Sequence, residues 1–138
     1  MSEQTNKQAL SKIIDWYMNL PSGFNGINQL IYARQRLVGY LASFTEQIEV
    51  ISDALVKAEN DLERKKISIR AKYMDEKGIG KATIRSRFST LQESATVNEG
   101  EKKIIAMRDY SKVVLAVLDT MNQHIAILRR EEEKSNFL

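Results

Sequence analysis

Cysteine is absent from this 138-residue chain, and proline (one), histidine (one) and glycine (six) are scarce. Without cysteine there is no disulfide framework, no Cys-ligated zinc or iron–sulfur centre and no thiol nucleophile. A lone histidine, His124, excludes a His-rich metal site and makes a Ser/His/Asp hydrolase a poor fit, so no metal and no cofactor is expected. No apolar run approaches the roughly 18 residues of a membrane span, and the opening MSEQTNKQAL lacks the basic-then-apolar form of a signal peptide. These absences predict a soluble, cytoplasmic protein with no membrane partner. So few helix-breaking residues predict long, uninterrupted helices. With 43% hydrophobic positions, one domain of this length buries a modest core unaided.

The pattern along the chain is helical. Over residues 4–19, Leu10, Ile13, Ile14, Tyr17 and Met18 recur at spacings of three and four, with Lys12, Asp15 and Asn19 on the other side. Leu20-Pro21-Ser22-Gly23-Phe24-Asn25-Gly26 then breaks the chain with its only proline and two of its glycines. From Ile27 to Lys77 nothing stops a helix. Leu30, Arg34, Leu37, Leu41, Phe44, Ile48, Ile51, Leu55, Ala58 and Leu62 alternate spacings of four and three, a heptad seam with one polar member. A helix of this length would reach roughly 75 Å and needs a partner along its seam.

Lys77-Gly78-Ile79-Gly80-Lys81 supplies a turn. A second long helix is expected from about Ala82 to Glu133, loosened at Asn98–Gly100. Met107, Tyr110, Val114, Val117, Met121, His124 and Leu128 form one stripe on it, and Ile104, Ser111, Leu115, Leu118, Asn122 and Ile125 a second beside it. Two stripes imply burial on two sides. Folding about Ile79 sets Leu30 opposite Leu128 and Leu55 opposite Lys103. The expected fold is all-α: a long, antiparallel, coiled-coil-like helical hairpin with a short N-terminal helix. The expected parts are an arm (1–20), a linker (21–29) and the hairpin (30–138), whose polar tip covers about 63–103. Three helices cover only part of the doubled apolar face. Val114, Leu115, Val117, Leu118, Met121, Ile125 and Leu128 are therefore expected to join copies into a homo-oligomer.

Net charge is +3, but its distribution is uneven. Arg64, Lys65, Lys66, Arg70, Lys72, Lys77, Lys81, Arg85 and Arg87 face only Asp75 and Glu76 between positions 64 and 87, a local +7, while the remainder carries −4. Clustered Lys and Arg on a protruding element attract phosphate backbones through counterion release. Tyr73 and Phe88 would offer stacking faces to unpaired bases. The bland alternative is a solvated helical face, and an acidic protein or a membrane surface are further alternatives for the charge alone. Gly78-Ile79-Gly80-Lys81-Ala82-Thr83-Ile84 resembles the GxG turn of helix-hairpin-helix DNA-binding motifs, which hold a phosphate at a helix N-terminus. It departs from that motif in Glu76, which stands at an apolar position, and in the acidic neighbour Asp75. A plain Gly-rich turn is the other reading, and a Walker A loop is excluded because Asp75 sits where its first glycine belongs.

No nucleophile is accompanied by a base and an orienting group, so no enzyme is expected. Asp119 and His124 are five apart, off a shared face, and His124 on an apolar stripe reads as a packed histidine. Glu131-Glu132-Glu133 point in three directions and read as a solvated helix end. Trp16 and Tyr17 read as docking residues.

From about Leu30 to Arg130 the chain resembles small helical proteins encoded among phage replication and recombination genes. Tyr32 to Leu41 (YARQRLVGYL), Lys65 to Tyr73 (KKISIRAKY) and Met121 to Arg130 (MNQHIAILRR) carry that resemblance. In the order of its features it is distantly similar to the UvsY-class recombination mediators of T4-like phages. The resemblance implies a mostly helical oligomer that binds single-stranded DNA and helps load a recombinase over single-strand-binding protein, in the host cytoplasm. Its basic segment maps onto Lys65, Lys66, Arg70 and Lys72, and its oligomerising helix onto Val113–Leu128; residues 1–26 have no counterpart. The leading expectation is a non-enzymatic accessory protein that binds single-stranded DNA, or RNA, through Arg64, Lys65, Lys66, Arg70, Lys72, Tyr73, Lys77, Gly78, Gly80, Lys81, Arg85, Arg87 and Phe88. The alternative is a helical protein–protein module, an inhibitor or scaffold whose segment Leu10–Met18 docks a host or phage protein. A purely structural coiled-coil dimer leaves the charge asymmetry unexplained.

Overall fold

The computed structural model describes residues 3–77 and 79–137, with side chains described over 5–72 and 80–136. Four helices follow one another: α1 (Glu3–Met18), α2 (Ile27–Lys77), α3 (Ile79–Ser89) and α4 (Leu91–Phe137). The all-α expectation holds. The chain divides into two compact units, one of Met1–Gln47 with Arg108–Leu138 and one of Ile48–Met107.

The first unit is a three-helix packing of α1 with the early part of α2 and the late part of α4. Between α1 and α2 the Phe24 amide donates to the Pro21 carbonyl at 3.1 Å. Gly23 sits third in that turn with φ of +78°, the sign a type II turn requires there. The segment between the two helices runs from 19 to 26, against the expected linker 21–29, since α1 ends at Met18 and α2 begins at Ile27. Leu30, Ala33, Leu37, Leu41 and Phe44 turn inward from α2 and meet Val114, Met121, Ile125 and Leu128 from α4; all are buried. Leu30 clusters with Ile125 and Leu128, whereas Phe44 meets Tyr110 edge-on at 5.7 Å. Contacts climbing α2 thus descend α4, so the two segments run antiparallel, and Leu30 lies where the hairpin register sets it.

Within the expected arm 1–20, α1 packs against α4. Leu10 and Ile13 are buried, the Ser11 and Tyr110 hydroxyls lie 2.6 Å apart, and the Lys7 ammonium stands 5.1 Å from the centre of the Tyr110 ring. Tyr110 is where the three helices meet. The inner face of Leu10–Met18, the segment named for docking a host or phage protein, is occupied by its own chain, and Trp16 and Met18 remain on its outer side.

The second unit joins the later part of α2 to α3 and the start of α4. Its inner α2 positions, including Ile51, Leu55, Glu59, Leu62, Lys66 and Ile69, are only half-buried, and Ala58 of the expected seam is exposed. Opposite them Ala82, Ser86, Thr90, Val97, Ile104 and Met107 are buried. Gly100 lets the helices approach: a Cβ there would stand 2.9 Å from Leu55 Cδ1. That pairing lies about one turn from the expected partner of Leu55, Lys103. The expected loosening at Asn98–Gly100 is not observed, as α4 is helical throughout that segment. The interruption falls at Thr90, between α3 and α4. There the Ser86 carbonyl accepts both the Thr90 amide (3.1 Å) and the Thr90 hydroxyl (2.7 Å), a side-chain back-bond of the kind that bends helices.

Among the described residues no helix is long and apolar enough to cross a membrane.

Candidate nucleic-acid interface

The eleven residues of α3 set the geometry of the basic stretch. Ala82, Ser86 and Thr90 recur every four residues and are buried, so the small-residue face of α3 lies inward, with the Ser86 hydroxyl donating to the Lys66 carbonyl at 3.3 Å. The opposite face then points outward of necessity. It carries Lys81, Ile84, Arg85 and Phe88, which share that face at spacings of three and four, around a shallow groove of about 340 Å³. Phe88 is 78% exposed and Ile84 69%. Water-exposed aromatic and aliphatic side chains between two cations are the combination that tracks a strand: charge for the phosphates, an apolar face for the bases.

The other predicted residues divide by face. Arg64, Lys65, Lys72, Gly80 and Arg87 are exposed, whereas Lys66 and Arg70 are half-buried on the side of α2 that turns inward. Arg70 Nε is buried without a hydrogen-bond partner. Lys65 is engaged by an ion pair with Glu93, which holds the Glu93 carboxyl below the usual carboxylate range, chiefly through the hydrogen bond from Lys65. Glu59 is pushed upward by a carboxyl–carboxylate hydrogen bond with Glu101 and by that neighbour's charge. The Tyr73 and Lys77 side chains, and Gly78 altogether, lie outside the described residues, so the GxG phosphate reading does too apart from Gly80, in the first turn of α3. The sequence list omitted Ile84. Its spacing from Lys81 and Phe88 was the available signal.

The seven residues expected to join copies also divide. Val114, Met121, Ile125 and Leu128 are buried inside the single chain, Val117 and Leu118 are half-buried, and Leu115 alone is exposed, at 52%. On α4 it is Tyr110 and His124 of the first stripe that meet α1, whereas Leu115 and Asn122 of the second stay exposed. His124, on that side, is half-buried: its Nε2 lies 3.1 Å from the Phe24 carbonyl and its Nδ1 3.3 Å from the Tyr17 hydroxyl. Both ring nitrogens are used structurally. Burial raises the pKa of the Tyr17 hydroxyl.

No protein-family model matches this chain, nor does any curated protein or any solved structure.

Proposed function

We propose that this protein is a non-enzymatic accessory protein that binds single-stranded DNA through the outward face of α3, in the manner of a recombination mediator. The carrying observation is the Lys81–Ile84–Arg85–Phe88 face, where two cations and two exposed apolar side chains alternate over two turns. The exposed Arg64, Lys72 and Arg87 extend the positive field. The resemblance of the Lys65–Tyr73 segment to phage recombination mediators supports the choice of ligand and suggests a recombinase or single-strand-binding protein as a partner. Self-association in this proposal uses outward residues of α4 such as Leu115, because the deeper stripe is already filled. Several linked copies would multiply the weak affinity of one face.

The test is titration of a labelled thymidine 30-mer at several salt concentrations, with a duplex of equal length as control. For single strands log Kd moves with log salt by about 0.7 per phosphate contact, so Lys81→Ala with Arg85→Ala lowers that slope by about 1.4. Phe88→Ala weakens binding by about 5- to 150-fold, the loss of one stacked base. Wild-type affinity in the triple variant sinks the proposal. Exposed Ile84 and Phe88 also favour the protein–protein reading, and salt separates the two: an apolar protein partner at this face binds with little dependence on salt.

A further inference from the structure

The first unit carries a second place where aromatic and cationic side chains alternate. Lys12 and Trp16 stand one turn apart on α1, and Tyr32 and Arg36 one turn apart on α2. They line the two walls of one groove of about 410 Å³, floored by the buried Ile13 and Ala33. That size lies within the range of about 300–1,000 Å³ typical of small-ligand clefts. Among the described residues, none of those lining the groove is acidic.

The walls are organised before any ligand arrives. The Trp16 indole, 38% exposed, is held edge-on by Phe24 at 6.0 Å. The Arg36 guanidinium lies 5.7 Å from the centre of the Tyr32 ring and 5.9 Å from that of Tyr40, which fixes a positive plane at the rim. Tyr32 itself is 62% exposed.

We propose that this groove is a nucleotide-unit subsite for single-stranded nucleic acid, separate from the α3 face. A nucleotide joins a flat ring to an anion at a short, fixed separation, and each wall of the groove offers an aromatic face and a cation one turn apart. Bases stack on Trp16 and Tyr32 while phosphates meet Lys12 and Arg36. The inference rests on the single-strand reading above and extends it to a part of the chain outside the basic stretch 64–87.

Trp16 is the only tryptophan, so its fluorescence reports on this groove and on no other part of the chain. The experiment titrates the full chain with a thymidine tetramer at low salt and follows Trp16 emission, with binding of a labelled thymidine 30-mer measured in parallel by anisotropy. Saturable quenching is expected. Lys12→Ala with Arg36→Ala should raise the half-saturating concentration at least tenfold, and Tyr32→Ala should weaken quenching where Tyr32→Phe preserves it. Lys81→Ala with Arg85→Ala should leave quenching by the tetramer unchanged while weakening the 30-mer. Absence of quenching while the 30-mer still binds overturns the subsite and leaves the α3 reading standing. Quenching by the tetramer with no contribution from Lys81, Arg85 or Phe88 to the 30-mer supports the subsite and overturns the α3 reading. Equal quenching by free thymidine monophosphate at matched nucleotide concentration overturns the strand assignment in favour of a free nucleotide. Tighter binding of the peptide Glu-Glu-Glu-Phe than of the tetramer overturns it in favour of an acidic protein segment.

Discussion

The two units use the same helical periodicity to different depths. In the first, Leu30, Leu37, Leu41 and Phe44 vanish from solvent because α1 closes the side that α4 leaves open. In the second, α2 keeps the same spacing through Ile51, Leu55 and Leu62, yet each stays half-buried, because α3 and α4 follow one another along α2 instead of flanking it together. Fully burying a Leu or Phe contributes about 1.5–3 kcal/mol, and a partly covered one correspondingly less. The inner positions of the second unit also include Glu59, Lys66, Ser86 and Thr90, which contribute hydrogen bonds more than burial. The lesson is that a heptad spacing fixes which face turns inward, while the number of covering helices fixes how dry that face becomes. The drier unit carries stability; the wetter one can give its surface to charge.

The sharpest way to break this comparison is to truncate one inner residue in each unit and measure unfolding in urea. Phe44→Ala should cost about 3–5 kcal/mol, and Leu62→Ala about 1–2 kcal/mol because its side chain is not fully buried. Equal costs would mean the units are alike in burial after all. Next in size, Ser86→Leu forces a large side chain between α3 and α2 and should cost about 1–3 kcal/mol through overpacking. A neutral result would show that α3 does not sit closely against Lys66.

A smaller effect tests the polar seam of the first unit. Tyr17→Phe removes the hydroxyl beside His124 and should cost about 1 kcal/mol. Because burial raises the pKa of this hydroxyl above its ordinary value near 10, its contribution is complete below that value and is lost as pH rises through the raised one. Wild-type stability should therefore fall in alkali more than that of Tyr17→Phe. Parallel alkaline curves would show that the hydroxyl is not desolvated. The smallest effect belongs to the exposed pair Lys65–Glu93. The Glu93 pKa is lowered, so the pair contributes above the ordinary carboxylate value and is lost as pH falls through the depressed one. Lys65→Gln should remove this slight acid dependence and leave the rest of the melting curve in place, as expected of a surface pair.

Much of the fold was legible because its signals are local. The spacing of Leu30, Leu37, Leu41, Phe44 and Ile48 marks the buried face directly, and Pro21 with Gly23 marks the turn between α1 and α2. Two features were not legible. The interruption at Thr90 coincides with a hydroxyl bonded to the carbonyl four residues back, and the same local spelling elsewhere gives no break: Thr96 bonds the Gln92 carbonyl inside an unbroken α4. The cover over the first α4 stripe was the other, because Val114 or Met121 reads the same whether it is buried within its own chain or against another copy. At the candidate interface, the concentration of charge was visible from composition alone. The split that leaves Lys81, Arg85 and Phe88 outward but half-buries Lys66 and Arg70 required the packing of α3 on α2.

The sequence by itself determined that the chain is helical, where its longest helices run and which stripe of each avoids water, because 3.6-residue periodicity and the scarcity of Gly and Pro act within a few turns. It took the packing of whole helices to set Ser11 and Tyr17 of α1 against Tyr110 and His124 of α4 and to open a cation–aromatic groove between α1 and α2. Both outcomes depend on residues about twenty to more than one hundred positions apart arriving at the same place. Periodicity sets the direction in which a side chain points; the packing of whole helices sets what it meets.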